Sequence, residues 1–416
     1  MAGGKFNIYV FADWSGLPEA TLIGVLTAHF AKGKKAFGFE YDKDWLKTDT
    51  QGLLDPDLAF YSGPQYPVNK ANFGIFLDSM PDTWGKTLMR RREAQEARAR
   101  DEKPKTLYEI DFLLGVYDEG RMGALRFKTE LDGPFLDNDY KNPAPPWSSL
   151  AELQEAVKQL ESDSQNDTIR KWISVLIAPG SSLGGARPKA NIIDVKKNLW
   201  IAKFPSKTDT VDKAAWEYLV YKLAMASGID MAKCKLEKIS GQYNTFLTQR
   251  FDRQNGTRIH FASAMTMTGN SEDSIRDKAA SYLEIVEFIE NHGANVDGNL
   301  HQLWRRIVFN IATSNTDDHL RNHGFLLTPE GWILSPAYDL NPSIEKDGLS
   351  MNIDMYDNAL DFNLAKSVGE YFRLGDDEME TILDEVLAVV KNWKSIAGQI
   401  GIPKKEQEIM EGAFRF

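Results

Sequence analysis

Ser314-Asn315-Thr316-Asp317-Asp318-His319-Leu320-Arg321-Asn322-His323-Gly324 is the stretch on which the fold turns. Asp317 and Asn322 are separated by four residues, the interval used in phosphoryl transfer, where the aspartate orients a hydroxyl proton and the asparagine oxygen helps hold Mg²⁺. Asp318 would break that step. Seventeen residues beyond Asn322 stands Asp339, in Ala337-Tyr338-Asp339-Leu340, after a strand pair expected at 324–327 and 331–334. That is the place of a second metal-binding carboxylate. His319 and His323 beside two carboxylates also admit a zinc or iron site, but a hard-oxygen Mg²⁺ suits the asparagine better.

Upstream lie three more elements in a fixed order. Gly180-Ser181-Ser182-Leu183-Gly184-Gly185-Ala186-Arg187-Pro188-Lys189 supplies glycines that let backbone N–H groups approach phosphate oxygens, and it is not a Walker A sequence. A Gly-Ser-rich surface loop is the plain alternative. Lys203, in Leu199-Trp200-Ile201-Ala202-Lys203-Phe204-Pro205, is a cation inside an apolar strand, costly unless it meets an anion. Glu217 follows on a helix read from about Asp212 to Ala226 and closed by Gly228. Glycine-rich loop, strand lysine, helix glutamate, Asp-x-x-x-x-Asn and a late aspartate form the order of parts found in a kinase.

The remaining chain fits that order. Strands are expected at 6–11, 36–41, 189–195, 199–204 (joined by Lys196-Lys197-Asn198), 235–239 and 245–251. Asp82 to about Arg100 reads as a helix with a basic run, Arg90, Arg91, Arg92, Arg98 and Arg100, interleaved with Glu93 and Glu96 as a solvated, mixed-charge face. Residues 133–147, rich in Pro and Gly, read as a linker. Ser149 is placed to cap a helix through Leu150, Leu153, Val157 and Leu160. From about Ala279 helices dominate, one of them carrying Ile382, Val386, Val389 and Trp393. The layout is α+β for two thirds and mostly α thereafter.

Composition sets limits. The 416 residues allow two or three domains. With 49 Lys+Arg and 60 Asp+Glu the net charge is −11, which excludes a surface that tracks phosphate backbone throughout. The single cysteine, Cys234, excludes a disulfide framework or a Cys-rich zinc site and fits a reducing compartment. The start carries no secretory pattern, and the most apolar stretch, Trp172 to Ala178, is far short of the roughly 20 residues of a membrane span. A cytoplasmic protein without membrane contact is expected.

These residues resemble the HipA family, the serine/threonine kinases that form the toxin half of bacterial HipBA-type toxin–antitoxin systems. Ser182 to Lys189 looks like the family's Ser-x-x-Gly-Ala-Gln/Arg-x-Lys segment, Trp200 to Pro205 like its lysine strand, and Gln249-Arg250-Phe251-Asp252-Arg253 like its Glu-Arg-Phe-Asp-Arg hinge. Asp317 to Asn322 resembles the catalytic Asp-x-His-x-x-Asn, and Tyr338-Asp339-Leu340 the metal-binding Tyr-Asp segment. Phe76 to Gly85, with Leu113 to Gly115 and Gly123 to Leu125, resembles the N-terminal subdomain. Gln249 stands where the family commonly has glutamate, and Ser181-Ser182 doubles a single serine.

The resemblance implies an α+β, protein-kinase-like bilobal fold with an additional N-terminal α/β subdomain (1–140), a nucleotide-binding lobe (148–255) and a mostly helical catalytic lobe (256–416). It implies ATP and Mg²⁺ as cofactors, with ATP contacts from Ser182, Leu183, Gly184, Gly185, Lys203, Gln249, Phe251 and His319. Asp317 would be catalytic, Asn322 and Asp339 the metal ligands, and Glu217 the residue orienting Lys203. Autophosphorylation would fall on Ser182, with Ser181 the rival. Arg187 and Lys189 would be at hand for the displaced phosphoserine. The implied partners are a HipB-like helix-turn-helix antitoxin, DNA only through that antitoxin, and a protein substrate such as an aminoacyl-tRNA synthetase. Two other classes compete: a nucleotide-binding co-repressor subunit, which the survival of all five elements disfavours, and a small-molecule kinase, which the first 130 residues disfavour.

Overall fold

A computed structural model describes residues 5–31, 34–48, 52–138, 144–162, 176, 185 and 187–416. The assignments made above for Ser181, Ser182, Leu183, Gly184 and Ala186, and for residues 172–178 apart from Leu176, lie outside these residues. The chain forms two compact units, Met1–Lys207 with Asp252–Ala262, and Thr208–Phe251 with Ser263–Phe416.

In the first unit, β1 (Lys5–Ala12), β2 (Thr21–Ala31), β3 (Lys34–Tyr41) and β4 (Leu125–Lys128) make an antiparallel sheet in the order β3-β2-β1-β4. The sequence reading anticipated β1 and β3 but not β2. Gly24 interrupts its β-branched run, and the reason lies in the sheet. A Cβ on Gly24 would fall 2.3 Å from the Glu40 carbonyl oxygen and 2.5 Å from the Phe39 ring, next to the register shift at Val10/Phe11. α1 (Gly74–Asp78) meets this sheet through Phe76, and α2 (Thr83–Ala99) and α3 (Glu109–Leu114) follow in the same unit. The core is aromatic: the Phe39 ring lies 6.4 Å from Phe73 and 5.6 Å from Phe76, and Phe76 lies 6.1 Å from Phe127.

α2 starts where its chemistry predicts, with the Asp82 carboxylate accepting from the Gly85 N–H at 2.8 Å. Its basic run is tied down. Arg91 donates to the Leu160 carbonyl, Arg90 lies over the Phe112 ring, and Arg100 meets Glu93, Glu96 and Glu102. α4 (Leu150–Glu161) buries Leu150, Leu153, Val157 and Leu160, as their spacing requires. Ser149 holds the N-cap position, but within a 3₁₀ turn (Trp147–Ser149) and without a cap bond from its side chain.

The hairpin of β5 (Lys189–Ile193) and β6 (Leu199–Lys203) has a longer turn than its sequence suggested. Asp194 explains this. Its carboxylate collects the N–H groups of Lys196 and Asn198, the Asn198 amide and the Trp200 indole N–H, which close the turn in place of further ladder bonds. Burial opposes the charge, yet these four donors hold the Asp194 carboxyl below its ordinary range.

The second unit opens with α5 (Lys213–Ala226), capped by the Asp212 side chain and ended by Ser227, with Gly228 (φ +75°) just beyond. The hairpin of β7 (Cys234–Glu237) and β8 (Thr245–Gln249) follows. Its larger later elements are helices α6 (Tyr282–His292) and α7 (Val296–Ala312), the hairpin of β9 (Gly324–Thr328) and β10 (Gly331–Leu334), and helices α8 (Asp376–Val390), α9 (Trp393–Ile400) and α10 (Lys404–Met410). The 382–393 pattern is two helices rather than one, since the chain turns at Lys391–Asn392 and Trp393 begins α9. Trp393 stacks on Phe414 with centroids 4.1 Å apart and approaches Trp216 of α5 at 6.2 Å. The last three turns of α7, Leu303 to Ala312, are buried apart from Arg305. Polar side chains there must find internal partners. No helix among the described residues is long and apolar enough to cross a membrane.

Candidate active site

Ser314 leaves α7 in the left-handed conformation, φ +46°, and the chain is then held at every step. The Asn315 N–H returns to the Asn310 carbonyl, and the Asn315 amide bonds the Asn310 side-chain oxygen at 3.0 Å. The Ser350 hydroxyl donates to the Thr316 carbonyl, and the Arg415 guanidinium to the Ser314 hydroxyl. The segment is therefore a fixed loop, and two adjacent aspartates on it meet opposite environments.

Asp317 projects into water: its side chain is 76% exposed, with the Lys346 ammonium 3.9 Å away. Asp318 is fully buried. It accepts from the Tyr282 hydroxyl and from His323 Nε2, the latter at 2.8 Å. Burial by itself would raise the Asp318 pKa, but His323 and the Tyr282 hydroxyl outweigh burial and hold it below the ordinary carboxylate range. Tyr282, in turn, is pushed well above its ordinary value by burial and then by Asp318. His323, which admitted a metal reading in the sequence, is thus engaged by Asp318. Among the described residues no three His, Cys, Asp or Glu side chains cluster to hold a metal.

Asn322 closes the loop in a 3₁₀ turn, Leu320–Asn322. Its N–H bonds the His319 carbonyl at 2.7 Å and its side-chain amide donates to the Asp317 carbonyl at 3.2 Å. That bond uses the Asn322 side-chain nitrogen, and Oδ1 is the acceptor atom of the same amide. Asp317, His319 and Asn322 are therefore brought together. Asp339 lies half-buried beyond β10 in the left-handed conformation, φ +60°, which aspartate tolerates better than most residues. Asn341 connects the two segments: its side-chain amide reaches Asp339 Oδ1 at 3.4 Å, and its N–H bonds Asn315 Oδ1 at 3.2 Å. Tyr338 anchors the approach through its hydroxyl to the Arg321 carbonyl, and its ring lies 5.6 Å from Phe251. Arg306 on α7 supports the same connection by donating to the Ser335 carbonyl at 2.7 Å. Its burial lowers its pKa to about 10 against the pull of Asp230, Asp318 and Tyr338.

Also in the second unit, Glu217 is buried on α5, and Gln249 is half-buried at the end of β8. Lys203 ends β6 in the first unit, half-buried and paired in register with Lys189. The Gln249–Arg253 motif divides at Phe251/Asp252 between the two units. Asp252 is buried in the first, accepting from the Gly123 N–H at 2.8 Å and from Arg253 at 2.7 Å. Reading the sequence missed Tyr282, whose role needs a partner 36 residues away, and the relay Asn310–Asn315–Asn341.

Comparison with known proteins matches residues 181–393, just over half of the chain, to the HipA-like C-terminal domain. The serine/threonine-protein kinase toxin HipA of Shewanella oneidensis is 25% identical over 219 residues, 47% of this chain and 48% of that protein. A Haemophilus influenzae protein whose name carries only a provisional kinase assignment is 25% identical over 179 residues, 38% of this chain and 52% of that protein. The chain thus spans about half the length of these curated relatives. The solved complex of Shewanella oneidensis MR-1 HipA with HipB and its operator DNA contains a similar fold, with TM-score 0.66 at 17% identity over 98% of this chain and 94% of that one. The fold is therefore the mixed helix-and-sheet fold of that HipA, and by its sequence the chain belongs to the HipA-like C-terminal domain family.

Proposed function

We propose that this protein is an ATP- and Mg²⁺-dependent protein serine/threonine kinase of the cytoplasm and the toxin half of a type II toxin–antitoxin pair. The observation that carries the reading is the exposed Asp317 carboxylate on a fixed loop whose Asn322 side chain bonds the Asp317 carbonyl. The donor set suits a hard cation: Asn322 Oδ1 and the Asp339 carboxylate are both oxygen ligands. When bound, ATP·Mg²⁺ supplies the transferable phosphoryl group and the positive charge that shields it. Asp317 orients the incoming serine or threonine hydroxyl and takes its proton at a carboxylate oxygen. Asn322 and Asp339 hold the ion, and the left-handed turn at Asp339 sets the direction of its carboxylate. Lys203 grips the nucleotide phosphates and Glu217 orients Lys203. Ser182, Leu183, Gly184, Gly185, Gln249, Phe251 and His319 complete the nucleotide contacts, and Ser182, or Ser181 beside it, takes the autophosphorylation.

The partner that fits is a HipB-like helix-turn-helix antitoxin, because the similar fold in Shewanella oneidensis is bound to HipB and operator DNA. DNA would be contacted through that antitoxin, and the substrate would be a protein such as an aminoacyl-tRNA synthetase. Incubation with ATP·Mg²⁺ and peptide mass mapping tests the activity. Phosphate is expected on Ser182, absent in Asp317→Asn, with ATP binding retained in Asp317→Asn and weakened in Lys203→Met. Undiminished phosphorylation by Asp317→Asn, or wild-type ATP affinity and activity in Lys203→Met, would remove that residue from the site.

A further inference from the structure

Lys189, the last residue of the glycine-rich segment, begins β5 and is almost wholly buried, its side chain 2% exposed. A buried ammonium is costly without an opposite charge, and here that charge comes from 107 positions earlier in the chain. The Asp82 carboxylate, 3% exposed, lies 2.8 Å from Lys189 Nζ while its other oxygen caps α2. Two further bonds join the same places. The Trp84 indole N–H donates to the Lys189 carbonyl at 3.2 Å, and the Trp84 backbone N–H to the Gly185 carbonyl at 3.4 Å. Gly185 itself is left-handed, φ +106°, and a Cβ there would stand 3.2 Å from Lys189 Nζ. The backbone conformation therefore favours glycine there, and a Cβ would press on the ammonium beneath it.

We propose that the first turn of α2 is the foundation of the nucleotide-gripping segment, with Asp82 and Trp84 as positioning residues acting through Lys189 and Gly185. This rests on the reading of that segment as phosphate-binding. Lys189 is consequently held beneath Gly185 and neutralised by Asp82. The anchor fixes the root of the segment before nucleotide arrives, so binding loses less conformational entropy. On this proposal α2 sets nucleotide affinity by holding Gly185 and Lys189 in place.

Calorimetric ATP·Mg²⁺ binding and amide hydrogen exchange over residues 185–193, without nucleotide, test this on the full chain. Asp82→Asn and the milder Trp84→Phe should each accelerate exchange in that stretch by tenfold or more. They should weaken ATP binding by about the same factor, with KM for ATP rising and kcat falling less than threefold. Asp82→Asn/Lys189→Gln, which leaves no unpaired buried charge, should regain most of the lost melting temperature but not the ATP affinity. Wild-type exchange in both single variants would overturn the anchor, as would an affinity that returns together with stability in the double variant. If the wild-type protein binds no ATP, the kinase reading fails, while the exchange measurement still decides whether the anchor exists.

Discussion

Asp317 and Asp318 differ by one position and should respond oppositely to the same conservative change. Asp318→Asn keeps the shape of the side chain and removes its charge. Tyr282 can still donate to the new amide oxygen, but the bond to His323 loses its ionic component and must be rebuilt through a neutral partner. Charged hydrogen bonds contribute roughly 1.5–3 kcal/mol each and neutral ones about 1 kcal/mol. The net cost is about 2 kcal/mol for Asn, rising to about 3–5 kcal/mol for Asp318→Ala, which leaves its partners unmatched in the interior. With a urea dependence of about 2 kcal/mol per molar, Asp318→Asn lowers the unfolding midpoint by about 1 M. Asp317→Asn, at a side chain 76% exposed, should stay within about 0.5 kcal/mol, a shift under roughly 0.3 M, while phosphoryl transfer disappears. Tryptophan fluorescence in urea measures the midpoints, and autophosphorylation measures the chemistry. A wild-type midpoint for Asp318→Asn, or a loss of 1 M for Asp317→Asn, would refute the division of labour between them.

Asp55 in the first unit accepts from the Asp57 and Ile75 N–H groups, and its burial pushes its pKa up to about 6, above the pull of those bonds and of Lys70. From about pH 4 to pH 6 the folded form holds a proton that the unfolded chain has released, so this group's contribution falls as pH rises, by roughly 3 kcal/mol in all. Asp55→Asn should remove that slope; the difference between wild-type and variant stabilities, measured at pH 4, 5, 6 and 7, should change between pH 4 and 6 and level off above. Asp318 has the opposite sign: its lowered pKa adds stability above the ordinary carboxylate range that is lost as pH falls through its folded value, and Asp318→Asn should weaken acid sensitivity below about pH 4. Gly24→Ala should destabilise the N-terminal sheet by about 1–3 kcal/mol, because the new methyl meets a backbone carbonyl that cannot move without breaking the β2–β3 ladder. A thermal melt indistinguishable from wild type would contradict the close approach.

Local chemistry was legible wherever residues near in sequence decide the outcome. Asp82 and Asp212 start their helices because a carboxylate satisfies an N–H three residues on, and α4 follows from its apolar spacing alone. β2 escaped because the close contact that requires Gly24 also interrupts the alternation by which a strand is read. Val386 and Trp393 keep helical spacing across a break, since the pattern records which faces are buried and not whether one helix carries them.

By itself the sequence determined the order of the chemical groups, the Asp-x-x-x-x-Asn interval and the identity of the family, because these depend on which residues stand at which spacing. Only the tertiary structure decided that Asp317 faces water while Asp318 is locked between Tyr282 and His323, and that Lys189 meets Asp82 beneath Gly185. A buried charge chooses its partner by proximity in space, and two of the partners here, Tyr282 for Asp318 and Asp82 for Lys189, stand 36 and 107 positions away in a chain whose spacing says nothing about that distance.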